Sequence, residues 1–219
     1  MFELTSWITE YGLTEDMIAL VLYIPILATL INVSRYVFGF KTLGIYAPLS
    51  LSFAYIFTGI RFGLLITVAV IVASLISYSV LKKVRMHYIS RITITYIIVA
   101  ILVIIIILAN EASPISITTN KHNVAMVSPL GIVIIATLSD FFIKKYVKKS
   151  ISTSIRSSIE TVFIAVIGWA LLRSTVIKEF ALEYTIILLI LLLVINLVVG
   201  QSPVMRLREY ARFKPATKK

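Results

Sequence analysis

Cysteine is missing from this 219-residue chain, glycine and proline number only 8 and 6, and charged residues make up just 14% of it. Without cysteine there is no disulfide scaffold, no thiol nucleophile and no thiolate metal ligand. The shortage of glycine and proline excludes a low-complexity or collagen-like chain. Soluble domains carry roughly 25% charged residues. With 59% of its residues hydrophobic, this chain cannot cover itself with polar surface, so neither a soluble single domain nor a disordered polymer fits. The first 16 residues hold no Lys or Arg, so they lack the positive n-region of a secretory signal and no removable leader is expected.

What remains is apolar sequence in long runs. A helix crossing the hydrocarbon core needs about 20 mostly apolar residues. Seven segments qualify, at roughly 17–37, 43–60, 62–81, 92–109, 124–143, 157–172 and 181–200. The expectation is an all-α membrane protein, a seven-transmembrane-helix bundle forming one polytopic domain over 1–219. The net charge of +11 then acquires a meaning. In alternate connections lie Arg35 and Lys41, then Lys82, Lys83, Arg85 and Arg91, then Lys144, Lys145, Lys148, Lys149 and Arg156, and finally the basic tail from Arg206. Of 21 cations, only Arg61, Lys121, Arg173 and Lys178 fall on the opposite side. Cations are retained in cytoplasmic loops, so the N-terminus is expected outside and the C-terminus inside a cell membrane. The same spread over four juxtamembrane stretches argues for contact with anionic lipid and against nucleic acid.

Two spans share a pattern. Ala47-Pro48-Leu49 and Ser128-Pro129-Leu130 each place a small residue, Pro and Leu early in a span. These spans run in opposite directions in the expected topology. The last six helices are therefore compatible with an inverted 3+3 repeat following the first helix, an organisation typical of transporters. Pro near the first turn of a helix is also ordinary, so the repeat and a coincidence both stay open.

Ionisable groups in or beside spans are costly and need partners. Asp140 and Glu160 fall at the cytoplasmic ends of their spans, as do Arg35 and the tail residues Arg206, Glu209 and Arg212. Together they are the candidate cytoplasmic-face interaction residues. Their arginines are suited to bidentate capture of an acidic partner, or equally to interfacial ion pairs and snorkelling. Gly44, Pro48 and Pro129 are candidates for helix breaks or close packing. Asn32 and Asn196, inside the first and last spans, are expected to hydrogen-bond between helices. Ser150 to Ser154 read as a capping region ahead of the sixth span. His87 and His122 lie on opposite sides of the membrane, no metalloprotease, Walker or nucleophile-elbow motif occurs, and no metal, cofactor or catalytic constellation is expected.

Two stretches carry a resemblance. Arg35, Gly39, Thr42, Gly44, Ile45, Tyr46 and Pro48 match an R-x-x-x-G-x-x-T-x-G-[IT]-[FY]-x-P pattern, and Arg206 to Lys214 match R-L-x-E-[LFY]-x-R-F-[RK]. Both patterns resemble a prokaryotic seven-transmembrane-helix domain usually fused to an inactive transglutaminase-like domain. A weaker similarity links the Pro-containing spans to the membrane subunit of poly-gamma-glutamate capsule synthesis. Where the family tends to carry an E-R-F stretch, this chain has Asp140 followed by Phe141, which removes a paired charge. The resemblance implies association with a cytoplasmic ATP-grasp peptide ligase. It also implies a transglutaminase-like domain outside the membrane, which another chain is expected to supply. The reading that follows is a non-enzymatic membrane subunit of a peptide-ligation or peptide-polymer synthesis and export pathway. The alternative is a secondary transporter for a small solute, with a polar cavity near Pro48 and Pro129. A membrane enzyme would have to use Asp140 or Glu160.

Overall fold

A computed structural model of the chain describes residues 14–81, 84, 87–112, 128–148 and 151–201. Among them the regular structure is entirely helical. It comprises α1 (Glu15–Tyr36), α2 (Tyr46–Thr58), α3 (Ile60–Leu81), α4 (Tyr88–Ala112), α5 (Pro129–Thr137), α6 (Ser139–Lys148), α7 (Ile151–Arg173), α8 (Thr175–Glu183) and α9 (Thr185–Gln201). Four stretches are long and apolar enough to cross a bilayer, namely α1, α3, α7 and Ile89–Ala109 within α4. The pair α8 and α9 makes a fifth if counted together, although it bends by 101°.

Besides the bent last pair, three expected spans look different in three dimensions. Helix α2 has only 13 residues, or about 20 Å of helix, against the roughly 30 Å of a hydrocarbon core. Gly59, at φ +75°, ends it and turns the chain straight into α3. The span expected at 124–143 is two helices, α5 and α6, separated at Leu138; residues 124–127 lie outside the described set. The sixth span starts earlier than expected, at Ile151. Ser152 to Ser154 are therefore inside α7 and do not cap it, and Ser154 Oγ donates to the Lys145 carbonyl of α6 (3.2 Å).

Polar contacts set the helix directions. Ser128 N donates to the Phe57 carbonyl (3.4 Å), while Lys145 Nζ reaches the carbonyls of Lys41 (3.4 Å) and Thr42 (3.2 Å). The α5–α6 pair thus runs antiparallel to α2. Helix α7 runs parallel to α2, since Leu43 N donates to Thr161 Oγ1 (2.9 Å) and Ser52 Oγ to the Ala165 carbonyl (3.1 Å). Tyr55 meets Thr67 (3.1 Å) and Ser77 meets Thr95, so α3 opposes α2 and α4 opposes α3. Ile18 and Leu22 of α1 cluster with Ala181 and Leu188, and Asn32 meets Asn196 farther along, which makes α9 parallel to α1. Successive packed segments therefore alternate in direction. Within this arrangement α2 packs chiefly on α7, and α5–α6 chiefly on α3 and α2.

Between helices in lipid, apolar burial supplies little drive, and close packing through small residues with interhelical hydrogen bonds takes its place. The largest buried cluster accordingly interleaves Ala47, Ala54, Ala73 and Ala165 with Leu51, Tyr55, Ile66 and Phe142. A Cβ on Gly131 would stand 2.5 Å from Thr58 Cγ2 and 3.2 Å from the Ala54 carbonyl oxygen, so α5 crosses α2 at glycine contact. Asn196 Nδ2 donates to Thr29 Oγ1 (2.6 Å) and to the Leu192 carbonyl (2.8 Å), and its Oδ1 accepts from Asn32 (2.7 Å). Thr29 in turn donates to the carbonyl of Pro25 (2.8 Å), the proline inside α1. The pairing expected of the two asparagines is thus one strand of a larger network. Asn196→Leu is expected to cost about 1 kcal/mol, or roughly 3 °C in Tm for a chain of this size. Thermal unfolding in a mild detergent checks this, and an unchanged Tm would remove the network from the account of α1–α9 packing.

At the end where α1 begins, Lys178 Nζ of α8 pairs with Asp16 (2.6 Å). The hydrogen bond and charge of Asp16 hold the ammonium above its ordinary pKa. Val176 and Phe180 stand exposed on α8, Phe180 packs on Tyr184 (5.4 Å), and Arg173 lies over the Trp169 ring (5.5 Å). Aromatic side chains beside a bent, amphipathic segment are the composition of a membrane–water boundary.

Candidate functional site

The opposite end holds the chemistry. After α1 stops at Tyr36, nine residues lead to α2, and their backbone needs partners that no helix supplies. Gly39 (φ +79°) and Gly44 (φ +99°) bracket the turn, a conformation that side chains with a Cβ rarely adopt. A Cβ on Gly44 would meet nothing within 4 Å, so this glycine is required for its backbone angle and not for close packing. Thr42 Oγ1 donates to the Gly44 carbonyl (2.9 Å), and Phe40 N to the Ser34 carbonyl (3.2 Å).

Two neighbouring residues of α7 clasp this segment. Glu160 Oε2 accepts the Lys41 N–H (2.5 Å), and Thr161 Oγ1 accepts the Leu43 N–H (2.9 Å). From α6, Lys145 Nζ reaches the carbonyls of Lys41 and Thr42. Helices α6 and α7 thereby satisfy donors and acceptors of the same loop, as buried backbone requires. Glu160 is the carboxylate at the centre. Its second oxygen, Oε1, accepts from Arg156 Nε (3.2 Å), and the carboxylate side chain is 11% exposed while that of Arg156 is 65% exposed. The ring of Phe40 leans on Phe163 (6.0 Å) and Phe38 (6.4 Å), which continues the contact along α7.

Three of the expected cytoplasmic-face residues, Arg35, Asp140 and Glu160, lie among the described residues. Glu160 belongs to the clasp. Asp140, half-buried on α6, pairs with Lys144 one turn on (2.6 Å), and Lys144 stands 5.8 Å from the Phe141 ring centre. Arg35 is exposed in the last turn of α1. Arg206, Glu209 and Arg212 lie outside the described residues. Pro48 is buried in the first turn of α2, and Pro129 is the first residue of α5, so both start helices and neither breaks one. Among the described residues no group of three His, Asp or Glu is placed to hold a metal.

Sequence reading did not single out Arg156, Thr161, Lys145 or the backbone of Lys41 and Leu43. The four-residue spacing of Arg156 and Glu160 was visible as a helical ion pair. The clasp was not, because its partners lie 119 and 118 residues apart.

A family model described as seven transmembrane helices usually fused to an inactive transglutaminase matches residues 8–217. The chain belongs to this family. No curated protein and no solved structure matches it significantly. The 7TM-transglutaminase assignment, together with the apolar helices, makes this a multi-pass membrane protein. It also gives the first resemblance a physical content. The residues that carry it from Gly39 to Pro48 are those of the clasped loop: two glycines at positive φ, a threonine bonded across the turn, and a proline opening α2.

Proposed function

We propose that this chain is a non-enzymatic scaffold subunit of the cell membrane, crossing it seven times with its amino end outside and its carboxyl end in the cytoplasm. In this reading the clasped loop together with the short α2, and the α5–α6 pair, make the second and fifth crossings, related as the inverted halves of a 3+3 repeat. The basic inner face recruits a cytoplasmic ATP-grasp-type ligase and assists export of its acidic peptide product. A transglutaminase-like protein would stand on the outer side.

The observation that carries the reading is the gathering of cations at one end of an alternating bundle. Arg35, Lys41, Lys144, Lys145 and Arg156 surround the clasp end against Asp140 and Glu160, whereas the opposite end carries Glu15, Asp16, Glu179 and Glu183 against Arg61, Arg173 and Lys178. Such a face attracts an acidic partner and suits the positive side of a topology. The packing near the two prolines supports a scaffold over a solute pathway. Leu51, Tyr55 and Ile135 are fully buried, and Gly131 sits against α2 at a distance that leaves no channel between them.

Two measurements test it. Because the chain has no cysteine, a single introduced thiol is unique. Glu179→Cys is expected to react with a membrane-impermeant maleimide on intact cells, and Ser152→Cys only after permeabilisation; the reverse pattern would invert the topology. A tagged chain purified from native membranes is expected to bring an ATP-dependent ligase with it, and to lose it in a Lys144→Glu/Lys145→Glu variant. Reproducible absence of a ligase from the wild-type preparation would overturn the recruitment.

A further inference from the structure

We infer that the open side of α7 next to the clasp is a binding site for an anionic phospholipid, with the phosphate on Arg156 and one acyl chain laid along the helix. The clasp grips α7 at Glu160 and Thr161, so residues 151–159 extend beyond it for roughly 13 Å of helix axis. Ser154, Ser157 and Ser158 of that extension are buried, and Ser154 bonds to α6. Among the described residues the other side is open. It forms a cleft of about 580 Å³ lined by Ile151, Ser152, Ile155, Arg156, Ile159 and Glu160.

Those six residues make two parallel stripes, each with the four-residue spacing that stacks side chains on one helix face. The polar stripe is Ser152, Arg156 and Glu160. Glu160, fixed by the Lys41 N–H, takes the Nε of Arg156. The two terminal nitrogens of the guanidinium have no partner among the described residues, and they form the fork that takes two phosphate oxygens. The exposed Lys41 adds a second positive charge beside it. The apolar stripe runs inward from Ile155 through Ile159, Phe163 and Ile167. Ile159 and Phe163 are 63% and 53% exposed, and Phe40 and Phe38 extend the surface at Phe163. From Ile155 to Ile167 the stripe covers roughly 18 Å, comparable with one leaflet's share of a ~30 Å hydrocarbon core.

The exposed Lys41 beside the Arg156–Glu160 pair leaves the patch net positive, which favours an anionic headgroup over a zwitterionic one. The length of apolar surface chooses a lipid over free phosphate, which would leave the isoleucines unused. Basic side chains at a membrane–water boundary attract such headgroups. The site needs only that the clasp end meet such a boundary, so it stands independently of ligase recruitment and of which leaflet this end faces.

Native mass spectrometry of the detergent-purified chain, offered equal amounts of phosphatidylglycerol and phosphatidylcholine with identical acyl chains, tests the proposal. The wild type is expected to retain phosphatidylglycerol over phosphatidylcholine by about fivefold, the scale of one cation near a lipid surface. Arg156→Gln should abolish that preference. Arg156→Gln/Glu160→Gln should abolish it too, without leaving an unpaired carboxylate that could unfold the clasp. Arg173→Gln, at the other end of α7, should keep it. Inorganic phosphate in millimolar excess should not displace the lipid. Equal retention of the two lipids by the wild type, an unchanged preference in a folded double variant, or full displacement by phosphate would each overturn the site.

Discussion

Valine in place of Gly168 is expected to leave almost no monodisperse protein after detergent extraction, the largest loss foreseen for any single substitution here. A Cβ at this position would stand 2.3 Å from Ser52 Oγ, 2.9 Å from Leu27 Cδ2 and 3.1 Å from Ser52 Cβ. Gly168 is therefore where α1, α2 and α7 meet, and the two extra methyls of valine add to a contact already too short. Ser52 cannot simply rotate away. Its hydroxyl bonds to the carbonyls of Pro48 (2.8 Å) and Ala165 (3.1 Å), and moving it would give up both. Overpacking of this kind costs about 1–3 kcal/mol, occasionally more, and valine at a three-helix junction belongs at the upper end. Gly168→Ala should lie between valine and the wild type. Combined with Ser52→Ala it should regain part of the loss, because the 2.3 Å contact disappears with the hydroxyl. Size-exclusion profiles and thermal unfolding of the four chains in a Gly168→Ala, Ser52→Ala cycle measure the coupling. Additive effects would mean that the junction is looser than these distances imply.

Glu160→Ala is expected to cost about 1.5–3 kcal/mol, the usual range for losing hydrogen bonds to a charged group. One substitution removes the acceptor of the Lys41 N–H and the partner of Arg156. The loss should be local first. Hydrogen exchange over residues 37–45 is expected to accelerate while the centres of α3 and α7 stay protected, since a clasped loop opens before the bundle does. Glu160→Gln keeps an acceptor for the amide and should lose less. Thr161→Val removes only the Leu43 bond. Combined with Glu160→Ala it should add less than its own single effect, because a loop already released cannot be released twice. Unaltered exchange over 37–45 in Glu160→Ala would show that Lys145 and the two glycines hold the loop without it.

The candidate site was legible in outline only. Glu160 stood out because a carboxylate near the end of an apolar run demands a partner. The glycines at 39 and 44 stood out through a family pattern whose physical reason, positive φ on either side of a clasped turn, appears only in the fold. Asp140 stood out for the same reason as Glu160, and it pairs with Lys144 one turn along its own helix. Spacing along a helix is local and readable. Which loop a helix grips is not.

The same division runs through the whole chain. Composition and the order of apolar runs determined that this is a helical multi-pass membrane protein and which family it joins, because each of these is a sum over neighbouring residues. The tertiary structure alone decided that α2 stops after 13 residues, that the fifth segment breaks at Leu138, and that α8 and α9 meet at 101°. It alone brought Glu160 and Thr161 to the backbone of residues 41 and 43. Average hydropathy cannot distinguish a full-length span from a short helix wedged between neighbours. In a bilayer the difference comes from where small residues such as Gly131 and Gly168 let backbones approach, and from which unpaired amides need an acceptor once they have.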